Sequence, residues 1–101
     1  MFIQLSAQEA HSWGMVNHIV PSEKLVDEAI AIALQIAANS PDSIIVTREG
    51  IKLGWEGVGV EEGTREVLEK WYSKIEGGEN MREGVKSFVE RRKPVWVGSK
   101  L

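Results

Sequence analysis

The chain has 101 residues, enough for one domain at most, and 43% of them are hydrophobic, too many for a disordered segment. It holds no cysteine, which excludes disulfides and thiolate metal sites, so stability must come from packing. The net charge is −3, and the basic end has few aromatics, which argues against a nucleic-acid partner.

The charge is uneven. In residues 82–101 six basic residues stand against two acidic ones, a net of +4, which leaves −7 for residues 1–81. A positive end on an acidic body suggests an anionic contact there. The plain alternative is a solvated helix terminus, where cations belong anyway.

The first five residues lack a basic stretch followed by an apolar one, so no secretory signal is expected. Ser6-Ala7-Gln8-Glu9 has capping-box spacing, with side chains placed to satisfy each other's backbone amides. The spacing predicts a short helix through Trp13, stopped by Gly14 in a left-handed conformation. The β-branched residues and closing proline of residues 15–21 predict an extended connector.

Ser22 is the expected cap of a second helix, with Glu23, Asp27 and Glu28 at its positive end. Its apolar face runs from Leu25 to Ala37 at helical spacing, and Asn39 or Ser40 should end it. The longest apolar stretch, residues 29–38, is too short to span a bilayer, so the chain reads as soluble, without a membrane partner. Pro41 should occupy the first position of a third helix, where its missing N–H costs nothing. That helix should fail near Gly54, with Gly57 and Gly59 marking the turn.

A fourth helix is predicted from about Val60 to Ile75, with Val67, Leu68, Trp71, Tyr72 and Ile75 as its stripe, broken by Gly77-Gly78. Asn80-Met81-Arg82-Glu83 reads as a second capping signal, opening a fifth helix that Pro94 stops. Residues 95–101 show no partner in the chain. The fold class expected is all-α, with about five helices.

Nucleophilic catalysis needs a nucleophile beside an oriented base. The serines sit mostly where helices need caps, and His11 and His18 match no ligand spacing. The carboxylate pairs Glu61 with Glu62, Glu66 with Glu69, and Asp27 with Glu28 fall on polar helix faces, where solvation explains them better than acid–base work. No glycine pattern matches a nucleotide phosphate loop. No catalytic or metal-binding residue is therefore assigned.

Two features rise above this background. Ser99, Lys100 and Leu101 form Ser-Lys-Leu, a receptor-read peroxisomal address that works by capture of the terminal carboxylate and nearby side chains. The expected partner is the peroxisomal import receptor, and the expected location is the peroxisome. The second feature is on the fifth helix, where Phe88 and Arg91 are three residues apart and so should share a face. An aromatic plane beside a guanidinium can stack on a purine and hold a phosphate. Spacing alone favours the plainer reading, with Phe88 in a core and Arg91 solvated.

The order of these features resembles the C-terminal end of the enoyl-CoA hydratase/isomerase (crotonase) superfamily. The resemblance rests on Ser6-Ala7-Gln8-Glu9-Ala10 with Gly14, Val16-Asn17 and Val20-Pro21, then Asn39-Ser40-Pro41, then Glu83-Gly84-Val85 with Phe88 and Arg91-Arg92-Lys93-Pro94. It implies that residues 1–98 are the helical C-terminal region, ahead of the address read separately at residues 99–101. It implies also that the β-β-α spiral core lies outside this chain. In that core two backbone amides form an oxyanion hole for the thioester carbonyl, and the acid–base carboxylates are there as well. Met1 would then be an internal start or the start of a truncated product.

For the residues present, the resemblance implies assembly into homo-oligomers, trimers that often pair as hexamers. The last helix would reach a neighbour's acyl-CoA pocket, with Phe88 near the adenine and Arg91 near the phosphates. Lysine is common at the second position; arginine keeps the charge and adds a planar fork. Acyl-CoA is the substrate implied, and no cofactor is expected to bind this chain alone. Hydration of a 2-enoyl-CoA and a 3-enoyl double-bond shift both remain open, and the isolated chain is expected to be inactive. The competing reading is a non-enzymatic helical interaction module imported into peroxisomes. It expects a closed core and no CoA binding.

Overall fold

Residues 4–101 are described by a computed structural model, so the reading of Met1 falls outside the described residues. Among those residues every regular element is helical. The elements are α1 (Ala7–Ser12), a 3₁₀ turn (Ser22–Lys24), α2 (Leu25–Ala37), α3 (Pro41–Trp55), α4 (Val60–Val67), a π turn (Leu68–Tyr72), α5 (Ser73–Glu76) and α6 (Glu79–Val89). The backbone stays right-handed helical from α4 through the π turn into α5, making one rod. The result is five rods, the number expected. None of these helices alone is long and apolar enough to cross a membrane.

The chain divides into two compact units, Met1–Leu34 and Gln35–Leu101. In the first, the capping box forms as its spacing predicts. The Ser6 amide donates to Glu9 Oε2 at 2.9 Å, and the Glu9 amide donates to Ser6 Oγ at 3.2 Å. These hydrogen bonds hold the Glu9 carboxyl below its ordinary value. Gly14, at φ +72°, ends α1 as expected. Ser22 does not cap α2. It lies inside the 3₁₀ turn, and Pro21 precedes it with no side-chain cap. The tight turn pulls the helix start forward and leaves the Ser22 hydroxyl no free amide to accept from.

In the second unit the Asn39 amide donates to the Gln35 and Ile36 carbonyls at 2.9 and 3.1 Å, closing the end of α2. Pro41 opens α3. Gly63 on α4 faces Leu53 and Val58 across the α3–α4 hairpin, and an added Cβ would meet them at ordinary contact distances of 3.7–4.0 Å. On the rod that follows, Lys70 and Lys74 both place their ammonium groups 5.2 Å from the centre of the Trp71 ring.

Burial is inverted. No apolar side chain among the described residues is buried, whereas Asp42, Asn80 and Ser87 are. Trp55 is 85% exposed and borders an open apolar groove of about 910 Å³ with Ile36, Ile44 and Ile51. The stripes that sequence periodicity marks as core are present, but nothing among the described residues buries them.

Candidate functional site

Helix α6 starts at Glu79, one residue before the expected cap, with Gly78 as its N-cap. Asn80 is therefore not a capping residue. It is 3% exposed, and its side-chain amide clamps the chain's last stretch. Asn80 Nδ2 donates to the Val97 carbonyl, and the Val97 amide donates to Asn80 Oδ1, both at 3.0 Å. A neutral amide offers one donor and one acceptor side by side, which matches an extended peptide unit.

The tail thus has partners that the sequence did not show. The Trp96 indole donates to the Ala38 carbonyl at 2.9 Å, and its ring lies over Gly84. A Cβ at Gly84 would sit 3.4 Å from Trp96 Cη2, the near limit of ordinary contact. Lys100 pairs with Glu79, which lowers the Glu79 carboxyl through the hydrogen bond and then the charge. Ser99 and Leu101 are half-buried, and the Leu101 amide donates to Ser99 Oγ at 3.2 Å. The tripeptide is docked against the start of α6.

Helix α6 ends at Val89, five residues before Pro94. Phe88 is in its last turn and Arg91 lies beyond it, so the two do not share a helical face. Arg91 is instead the C-terminal stop. Its φ is +53°, and it is the one non-glycine residue with positive φ among those described. The Arg91 amide donates to the Phe88 carbonyl at 3.2 Å and the Arg92 amide to the Ser87 carbonyl at 3.0 Å, the paired bonds of a Schellman motif.

The same pair of bonds closes α1 at Gly14 and α3 at Gly57. Those two ends use glycine, which adopts positive φ without steric penalty. Arginine there costs about 1–2 kcal/mol, because its Cβ crowds the next carbonyl. Strained residues persist only where their surroundings over-determine them.

The surroundings here are ionic. Arg92 Nη1 and Nη2 donate to Glu83 Oε1 and Oε2 at 2.5 and 2.9 Å, a two-pronged bridge. Arg92 Nε donates to Glu90 Oε2 at 2.6 Å, and the Val95 amide donates to Glu83 Oε1 at 2.7 Å. The Arg92 fork, with help from the Val95 amide, holds the Glu83 carboxyl down at about 2. The same carboxylates raise the Arg92 guanidinium. Arg91 has no such partner among the described residues, and its head is exposed.

Phe88 is 84% exposed, which overturns its reading as a core residue. It edges an open groove of about 350 Å³ with Ile75, Met81, Val85 and Trp96. The arrangement offers an aromatic face beside a loop that carries an unpaired guanidinium. Asp42, on the wall of the groove, is a residue the sequence reading passed over. It is 6% exposed, its Oδ1 has no hydrogen-bond partner, and its Oδ2 lies beside Gly78. Its charge complements the positive end of α6, whose glycine cap brings no side chain. Its position in the first turn of α3 was legible; the approach of a second helix end was not.

The other candidates behave as polar surface. Glu61 and Glu62 both pair with Arg65 on exposed α4, at 3.6 and 2.9 Å. His18 Nδ1 lies 3.4 Å from Glu28, and both are solvent-accessible. No group of three metal-ligating side chains occurs among the described residues.

Comparison with known proteins agrees with the sequence resemblance. The profile of the enoyl-CoA hydratase/isomerase family matches residues 1–99. The chain is 55% identical to a mevalonyl-coenzyme A hydratase of Beauveria bassiana over 97 residues, covering 95% of this chain and 35% of the relative. It is 46% identical to the Aspergillus fumigatus mevalonyl-coenzyme A hydratase over 99 residues, 98% of this chain and 37% of that one. The crystal structure of an enoyl-CoA hydratase from Mycobacterium tuberculosis superposes with a TM-score of 0.84 at 32% identity, covering 94% of this chain and 37% of that one. One from Mycobacterium marinum gives 0.82 at 32% identity, with the same coverage. The chain thus spans a little over a third of the length of the relatives it matches.

Proposed function

Because this chain belongs to the enoyl-CoA hydratase/isomerase family, we propose that it is the C-terminal helical part of a hydratase acting on a mevalonyl-CoA-type thioester. Family membership brings acyl-CoA as the substrate class. The hydratase reading, in preference to an isomerase, rests on the two mevalonyl-coenzyme A hydratases, at 55% and 46% identity. The chemistry falls to the part of the enzyme these residues do not include. There an oxyanion hole would stabilise the enolate-like charge while carboxylates move the proton.

What these residues contribute is recognition. The observation that carries the reading is the exposed Phe88 ring, followed three residues later by a strained Arg91 with no ionic partner among the described residues. Phe88 offers a stacking face for the adenine, and Arg91 a fork for a phosphate of CoA. Titration of CoA into the full-length protein and its Arg91→Ala variant tests this. Equal affinity in both would remove Arg91 from the site.

The uncovered apolar faces support a second role in assembly. They suit burial against the rest of the enzyme and against further copies, as in a homotrimer. A non-enzymatic module should close its own core, and the exposed Trp55, Val60 and Phe88 weigh against that. Ser99, Lys100 and Leu101 support peroxisomal import, with release of the docked tail from Glu79 and Asn80 before a receptor can enclose it.

A further inference from the structure

We infer that Glu83 and Arg92 are positioning residues for Arg91: their bridge holds the loop after α6 in the left-handed turn that keeps Arg91 exposed, three residues past Phe88, as a contact for the phosphates of CoA. The inference rests on the reading of Arg91 as a phosphate contact and adds to it the device that sets its geometry.

Three adjacent charged residues, Glu90, Arg91 and Arg92, have different fates. Glu90 and Arg92 flank Arg91, and their side chains bond to each other at 2.6 Å, bridging past the residue between them. Arg92 also reaches nine residues back to both oxygens of Glu83 and donates to the Lys93 carbonyl at 3.1 Å. Glu83 in turn accepts from the Val95 amide. The backbone is therefore fixed on both sides of Arg91. The carboxylates that would neutralise a neighbouring cation are already occupied by Arg92. Arg91 is left charged, exposed and unpaired among the described residues, on a backbone it would not choose.

A purely stabilising bridge would not need Arg91 at that position, since glycine fills the same place at the ends of α1 and α3. The strain acquires a purpose if the loop must present a cation in a fixed direction.

The test uses the full-length enzyme and two substrates. One is the CoA thioester. The other is the matching pantetheine thioester, which lacks the adenosine and its phosphates. Glu83→Gln and Arg92→Lys each remove the fork; the second keeps the charge and serves if the first fails to fold. Each should raise the KM ratio of CoA over pantetheine thioester, roughly 3- to 10-fold, by loosening a charge-assisted contact. If both substrates lose equally, or neither changes, the bridge is only structural and the inference is overturned. Arg91→Ala separates the two levels. If it leaves the ratio unchanged, the phosphate reading itself fails. If it raises the ratio while the bridge variants do not, only the positioning role fails.

Discussion

Glu83 and Arg92 lie nine positions apart and meet through two parallel hydrogen bonds of 2.9 and 2.5 Å, joining the middle of α6 to the loop beyond its end. That contact organises the loop that follows α6. It fixes the left-handed turn at Arg91, captures the Val95 amide, and aims the tail back along α6.

The bridge predicts a specific acid response. Glu83 ordinarily titrates near 4.5 and is held at about 2 here. A lowered carboxyl stabilises the fold fully above its unfolded value, and that contribution fades as pH falls from 4.5 toward 2. Amide protection at Arg92 and Val95, taken against the intrinsic exchange rate at each pH, should therefore fall through that window in the wild type. Glu83→Gln should show fast exchange already at neutral pH. High salt should weaken the effect, because the pair faces solvent.

Arg91→Gly should separate stability from binding. Glycine relieves the positive-φ strain and should stabilise the end of α6 by about 1 kcal/mol, less than the full strain because it also frees the unfolded chain. CoA affinity should fall in the same variant. Thermal melts and a CoA titration read the two effects. A loss of stability would show that the guanidinium has a structural partner.

Arg91→Ala keeps the strain and removes the charge. If the phosphate contact is well formed, CoA affinity should drop by about 1.5–3 kcal/mol, roughly 10- to 150-fold. Equilibrium dialysis with CoA and with pantetheine checks that the loss belongs to the phosphate-bearing half.

Asn80→Ala should free the tail. It leaves the Val97 amide and carbonyl without their partner and should cost about 1–3 kcal/mol. Exchange should quicken around Val97 while the α3–α4 hairpin is unaffected. Removing Ser99 to Leu101 should leave helical content intact and abolish peroxisomal import of a fluorescent fusion. Continued import would show that another signal does the work.

Local signals were legible because they are local. The Ser6–Glu9 box, Gly14, Pro41 and the Gly77-Gly78 break each act within four residues, and each sits where its type predicts. Misreadings came from contacts at long range. Asn80 has the right identity for a cap, but its partner is Val97, 17 residues later. Pro94 looked like the stop for α6, but the helix closes at Arg91, held by a carboxylate nine positions back from Arg92. The Phe88–Arg91 pair was found by assuming a continuous helix. The structure keeps both residues exposed at one end and replaces the shared face with a strained turn. The apolar stripes lie where periodicity puts them, but periodicity alone does not tell a buried stripe from an exposed one, and no apolar side chain is buried among the described residues.

The most direct measurement is a crystal structure of the full-length enzyme with a bound CoA thioester. The account predicts the adenine stacked on Phe88, a phosphate oxygen within hydrogen-bond distance of Arg91, and the Glu83–Arg92 bridge intact beneath them. An adenine bound elsewhere, with Arg91 facing bulk solvent, would contradict it.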